Sequence, residues 1–169
     1  LWAPLELRTN QPMVDLRTAS SRPVLATNIA SVFAGMAMFV NMLVTVQLLQ
    51  LPEETGFGFG LSVTMAGLCM VPAGLAMVVL SPFSGAMLDR WGGRLVLMSG
   101  LAIMAVAYLA RIWFSNSIAE IVIGSALVSV GTALSFAAMP TLIMSAVPIT
   151  ETAAANGLNT LVRSIGTGI

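Results

Sequence analysis

Three places in this chain bring together residue types that can do work. In SGAMLDRWGGR, residues 84–94, the ions Asp89, Arg90 and Arg94 fall among Gly85, Gly92 and Gly93. A carboxylate beside guanidinium groups makes a polar latch that can hold two helix ends in one of two arrangements. The plainer reading is a pair of arginines that only set topology. In the run 153–169, Arg163 follows Asn156 by seven residues and Asn159 by four, which places all three on one helical face. In the run 24–51, Met38, Asn41 and Thr45 share a face in the same way. Such polar groups inside an apolar run either line a path for a solute or lock neighbouring helices together.

Arg163 is the one ion deep inside an apolar run. Ten residues at a helical rise put it roughly 15 Å in, near mid-membrane. A lipid-facing arginine there costs at least about 2.5–3.5 kcal/mol, so Arg163 is expected to face the bundle interior. Arg111, by contrast, lies near the end of its run and is expected to snorkel to the surface.

Other chemistry lacks its parts. The chain has no His and one cysteine, Cys69, and places no acidic residue deep inside an apolar run. An intramembrane enzyme needs a nucleophile–base pair or metal ligands, so neither catalysis nor a metal or cofactor site is expected. Gly56, Gly58 and Gly60 are no phosphate loop, since no lysine follows them and Glu53 and Glu54 precede them. Any energy source is therefore a gradient or a separate subunit. Seven arginines balance seven acids, which leaves no basic stripe for nucleic acid.

Composition names the solvent. The chain is 57% hydrophobic and 8% charged, with mean hydropathy +0.95. That charge is about a third of what a soluble domain carries, so the partner of the surface is expected to be a lipid bilayer. Apolar runs at 24–51, 62–83, 95–114 and 118–147 are long enough to cross one, and 153–169 is a fifth, cut short. Lipid leaves no partner for free backbone groups, so these are helices. The expected fold is all-α, a polytopic membrane helix bundle with four full spans and a truncated fifth. The second run is expected to end at Pro82 and the fourth to bend at Pro140. Ser125, Ser129, Ala133 and Ala137 form a small-residue seam for close helix packing. Ser117 and Glu120 have capping-box spacing.

Arginine bias sets orientation. Arg8, Arg17, Arg22, Arg90 and Arg94 fall on one side of the expected spans; Glu53, Glu54 and Arg111 fall on the other. Residues 1–22 are then a cytoplasmic linker, and the 85–94 corner is also cytoplasmic. Gly92 and Gly93 suit a tight turn between antiparallel helices. The start at Leu1 and the end within an apolar run are expected of a fragment of a longer protein.

GAMLDRWGGR at 85–94 fits the pattern G-x-x-x-D-R-x-G-x-R through Gly85, Asp89, Arg90, Gly92 and Arg94. This resembles the cytoplasmic loop signature of the major facilitator superfamily, where it joins the second and third helices of a six-helix half. PMVDLR at 12–17 with Arg22 and Pro23 resembles the linker before the C-terminal half of bacterial multidrug antiporters of that superfamily. TGFGFG at 55–60, AGLCMVPAG at 66–74 and NGLNTLVRSIG at 156–166 resemble the segments that follow it. The resemblance covers nearly the whole chain. It implies that Asp89 and Arg90, supported by Arg94 and Gly85, form a charge network favouring one access state. Trp91 departs from the pattern only at a variable position and suits an interfacial anchor.

The resemblance implies a secondary transporter in the cell membrane exporting drug-like molecules, coupled to protons, with its N-terminal half elsewhere. A proton carrier would then lie in that half. The 12 methionines suit a cavity for varied apolar ligands. Two alternatives stay open: a transporter of a polar metabolite, with Asn41, Gln47 and Arg163 as contacts, and a non-transporting membrane scaffold.

Overall fold

The computed structural model describes residues 21–168. Helix α1 spans Arg22–Gln50, α2 Val63–Trp113, α3 Ile118–Ala146 and α4 Thr152–Gly168. Three of these, α1 to α3, are long and apolar enough to cross a membrane. Among the described residues every regular element is helical, which is how a chain in lipid satisfies its backbone.

Helix α2 is two helical arms joined by a one-residue corner. Gly92, at φ 78° and ψ 157°, is its only non-helical residue, in a region that only glycine visits cheaply. Packing against α3 shows that the arms on either side of Gly92 run antiparallel. Met70 of the first arm meets Ser125, and Arg111 of the second lies on Gly124. One level further along α3, Met77 shares a cleft with Thr132, and the Met104 sulfur lies 3.9 Å from the Thr132 Oγ. Gly93 then packs on Leu142 and Ala138 beside the corner.

Pro82, the expected end of the second apolar run, does not end the helix. Helix continues through Pro72 and Pro82 to the corner; a proline removes one backbone bond, and flanking turns carry the helix across it in lipid. Helix α3 likewise stays helical through Pro140.

The tightest seam is also not the expected one. A Cβ on Gly100 would lie 2.5 Å from the Ser135 Oγ and 2.7 Å from the Gly131 carbonyl oxygen. One on Gly131 would lie 2.6 Å from the Gly100 carbonyl oxygen. Gly93, Gly100 and Ala107 of α2 thus face Ala138, Gly131 and Gly124 of α3, each set spaced by seven residues and buried. Period seven follows a left-handed helix crossing. Of the expected series Ser125, Ser129, Ala133 and Ala137, Ser125 meets Asn41 of α1 and Met70 of α2, and Ser129 lines a cleft between the same helices.

Ala34, Val96, Leu97, Met104, Leu134, Ala138 and Met139 form the main core, joining α1, α2 and α3. Val24, Ile143, Val147 and Ala155 form a second cluster beside the start of α1. Leu49, Ala66 and Ile121 close the opposite end. There, residues 51–61 fold back on α1: the N–H groups of Phe59 and Leu61 donate to the carbonyls of Leu48 and Leu49. Gly56 and Gly60 take positive φ, so these glycines serve a turn. Ser117 Oγ accepts from the Glu120 N–H at 3.3 Å, and Glu120 Oε2 accepts from the Asn116 N–H at 2.9 Å, capping α3. Outward, α2 presents Val63, Leu68, Leu75, Val78 and Phe83, a surface suited to lipid.

Candidate translocation site

Two polar clusters sit along α1, one toward each end, and both tie it to its neighbours. Near its start, Asn28 and Ser31 face α4. The Asn159 amide donates to Asn28 Oδ1 at 2.9 Å and to the Ser31 Oγ at 2.5 Å. Ser31 in turn donates to the Thr27 carbonyl at 2.9 Å and lies 3.1 Å from the Met139 sulfur. Asn28, Ser31 and Asn159 are all buried. These bonds join α1 to α4, which is the arrangement of an interhelical lock.

Arg163 lies one turn beyond Asn159. Its guanidinium carbon stands 4.5 Å over the centroid of the Phe136 ring, where the ring face attracts a cation. Its stem and carbonyl press on Gly35, where a Cβ would meet the Arg163 carbonyl oxygen at 2.6 Å. The side chain thus faces the bundle, as lipid requires, and stacks on an aromatic ring. Asn156 is half-buried on the same helix.

The second cluster centres on Asn41. Arg111 Nη1 donates to Asn41 Oδ1 at 2.6 Å, and Nη2 donates to the Thr45 Oγ at 3.0 Å. Thr45 also reaches Asn41 Oδ1 at 3.4 Å. The Asn41 amide nitrogen donates to the Ser125 Oγ at 3.1 Å. The Tyr108 hydroxyl, one turn before Arg111, donates to the Ala37 carbonyl. Helices α1, α2 and α3 are thereby joined through a single asparagine.

Arg111 does not snorkel as expected; it turns inward. Space and partners explain the difference. A Cβ on Gly124 would lie 2.9 Å from Arg111 Cγ and 3.1 Å from Cδ, so that glycine opens the passage for the stem. Asn41 and Thr45 then offer oxygens that hydrocarbon lacks. The sequence signal was Gly124 opposite a polar pair on another helix, visible only once the helices are paired.

Asn41 also faces a cleft of about 220 Å³ between α1, the first arm of α2 and α3. Met38 and Met42 of α1 and Met70 and Met77 of α2 line it with Ser129 and Thr132 of α3. Met38 and Asn41 are therefore neighbours in a wall, with Thr45 buried behind. The remaining expected path residues, Asn156, Asn159 and Arg163, are on α4 and do not line this cleft.

At the Gly92 corner, Asp89, Arg90 and Arg94 stand exposed, with Trp91 beside them. Gly85 has nothing within 4 Å of the position a Cβ would take. Gly92 supplies the positive φ, whereas Gly93 is helical and is needed for its closeness to Leu142. Among the described residues no group of three or more His, Cys, Asp or Glu can hold a metal ion.

The sequence profile of the Major Facilitator Superfamily matches residues 3–169. The whole chain is 33% identical to part of the multidrug resistance protein Stp of Mycobacterium tuberculosis, covering 30% of that protein. It is 30% identical to the methyl viologen resistance protein SmvA of Salmonella typhimurium, covering 33% of it. Over 92% of its length it is 26% identical to the lincomycin resistance protein LmrB of Listeria monocytogenes, covering 29% of that protein. The chain thus spans about a third of the length of the curated relatives it matches. With a hairpin turned by a lone glycine, cations held inside an apolar bundle and a profile match over almost its full length, this multi-pass membrane chain belongs to the Major Facilitator Superfamily.

Proposed function

We propose that the chain forms most of one half of a secondary transporter that exports drug-like, largely apolar molecules by alternating access, driven by protons. The observation that carries this reading is the cleft beside Asn41. Four methionines line it, and thioethers repack around varied apolar shapes. The resistance named in the relatives Stp, SmvA and LmrB supports an efflux role. Superfamily proteins of this kind transport solutes rather than transform them.

The transport of a polar metabolite is less well supported. Asn41, Thr45 and Asn159 direct their bonds mainly at Arg111, Ser125, Asn28 and Ser31. That leaves a ligand mostly sulfur and carbon. In the proposed setting the protein lies in the cell membrane, with the Gly92 corner and residues 1–22 in the cytoplasm. Residues 1–20 lie outside the described residues. Asp89, Arg90 and Arg94 would then act at the inner membrane surface as the charge network of the access switch. Transport sites of this type lie between repeats near the midplane, so the other half completes the wall and carries the membrane-embedded acid that takes the proton.

The test is flux through the full-length protein in proteoliposomes, with methyl viologen and ethidium as probes. A pH gradient should drive accumulation of at least one, and a protonophore should abolish it. Flux unaffected by the gradient overturns proton coupling. No flux of either probe, nor of sugars or amino acids, would make the protein a scaffold.

A further inference from the structure

We infer that Arg111 is a positioning residue: by pinning the oxygen of Asn41, it makes the cleft beside it a site for ring-sized apolar ligands that carry a hydrogen-bond acceptor. This deepens the transport reading and rests on it. The argument begins with the inventory of the Asn41 side chain, which has one oxygen that accepts and one NH₂ with two donors. Its oxygen takes Arg111 Nη1 at 2.6 Å and the Thr45 hydroxyl at 3.4 Å. One N–H goes to the Ser125 Oγ at 3.1 Å. The second N–H is what remains for a ligand.

An asparagine amide ordinarily turns to suit its surroundings. Here it is held one way round, because a guanidinium has five donors and no acceptor. If the amide turned over, NH₂ would face that cation. The Gly124 notch makes room for the Arg111 stem, and the bond from Nη2 to the Thr45 Oγ at 3.0 Å holds the cation in place independently of Asn41. Asn41 lines the cleft, and the polar group its side chain has left over is a donor, not an acceptor.

The rest of the wall adds little polarity. Met38, Met42, Met70, Met77, Ala73 and Gly74 offer sulfur, methyl and backbone surface. The Thr132 hydroxyl donates to the Val128 carbonyl at 2.9 Å. A space of about 220 Å³ is of the order that takes an aromatic ring, since a cavity of about 150 Å³ holds benzene. A carbonyl on that ring would meet the spare N–H of Asn41.

The test uses the full-length protein in nanodiscs and the isosteric single-ring pair acetophenone and α-methylstyrene, which differ by C=O for C=CH₂. Equilibrium binding of each tritiated compound is read by scintillation proximity, with protein-free nanodiscs subtracted. The expected result is tighter binding of the ketone by about three- to tenfold, the worth of one neutral hydrogen bond. Asn41→Leu should bring the ratio to about one while α-methylstyrene still binds, which shows that the cleft has folded. Arg111→Gln, which can either donate or accept, should lower the ratio. Arg111→Lys, which can only donate, should keep it, and a merely structural role would not separate those two variants. Equal affinities in the wild-type protein, or binding of neither compound, overturn the proposal. So does a ratio unmoved by Asn41→Leu or by Arg111→Gln. Because binding is read without flux, a ratio near one in a protein that transports refutes this inference alone. A preserved ratio without flux refutes the transport reading alone.

Discussion

Gly100 and Gly131 meet backbone to backbone: a Cβ placed on either would lie within 2.7 Å of the other's carbonyl oxygen. The contact is the centre of the seam between the second arm of α2 and α3. Replacing Gly131 with Val forces the seam apart, and overpacking of this kind costs roughly 1–3 kcal/mol. Thermal unfolding of the full-length protein in detergent should show the loss. Gly157→Ala is the matched control, since nothing lies within 4 Å of its Cβ position. That change should be neutral or stabilise by up to about 1 kcal/mol.

Gly92 turns the hairpin at φ 78° and ψ 157°. Any Cβ there strains the backbone by about 1–3 kcal/mol. Gly92→Ala should therefore lower the unfolding temperature although it adds one methyl group in open space. Gly67→Ala, helical and equally open, should not. Equal behaviour of the two variants would show that the corner relaxes without cost.

The Asn28–Asn159 pair can be isolated by a double-mutant cycle with leucine at each position. Polar pairs between membrane helices couple by about 0.6 kcal/mol on average and about 1.7 at most. The Ser31 hydroxyl also accepts from Asn159, but that bond is lost in every Asn159 variant and cancels from the cycle, so a value near the average is expected. A coupling of zero would mean that α1 and α4 are held without the Asn28–Asn159 bond, by Ser31 and by the packing at Gly35 and Gly166.

Asp89→Asn removes the one carboxylate of the Gly92 corner. If the corner biases an access state, flux in the full-length protein should fall about fivefold or more, the lower bound of a typical coupling energy. Membrane insertion, read by protease protection, should be unchanged. Flux at the wild-type rate would return the corner to a topology signal.

Asn41 shows how far spacing alone could reach. Its shared face with Met38 and Thr45 followed from helical period, and all three do cluster. The partner that orients it, Arg111, is 70 residues away and was expected at the surface. Nothing local to Arg111 distinguishes an inward arginine from one that snorkels. The distinction rests on Gly124 and on oxygens offered by another helix. Asn159 and Arg163 likewise share a face by period, yet one locks α4 to α1 while the other stacks on Phe136 of α3.

What the sequence determined by itself was the solvent, the helices and the corner. Those depend on composition, on run length and on a glycine between ions, all of which are local. Where Pro82 would fall, which small residues would touch, and which way each arginine would point were decided by tertiary structure. Each depends on what a neighbouring helix places within a few ångströms, and the physical reason is the same throughout. In lipid, apolar surface alone does not choose between partners, so close backbone contact and paired polar groups make the choice.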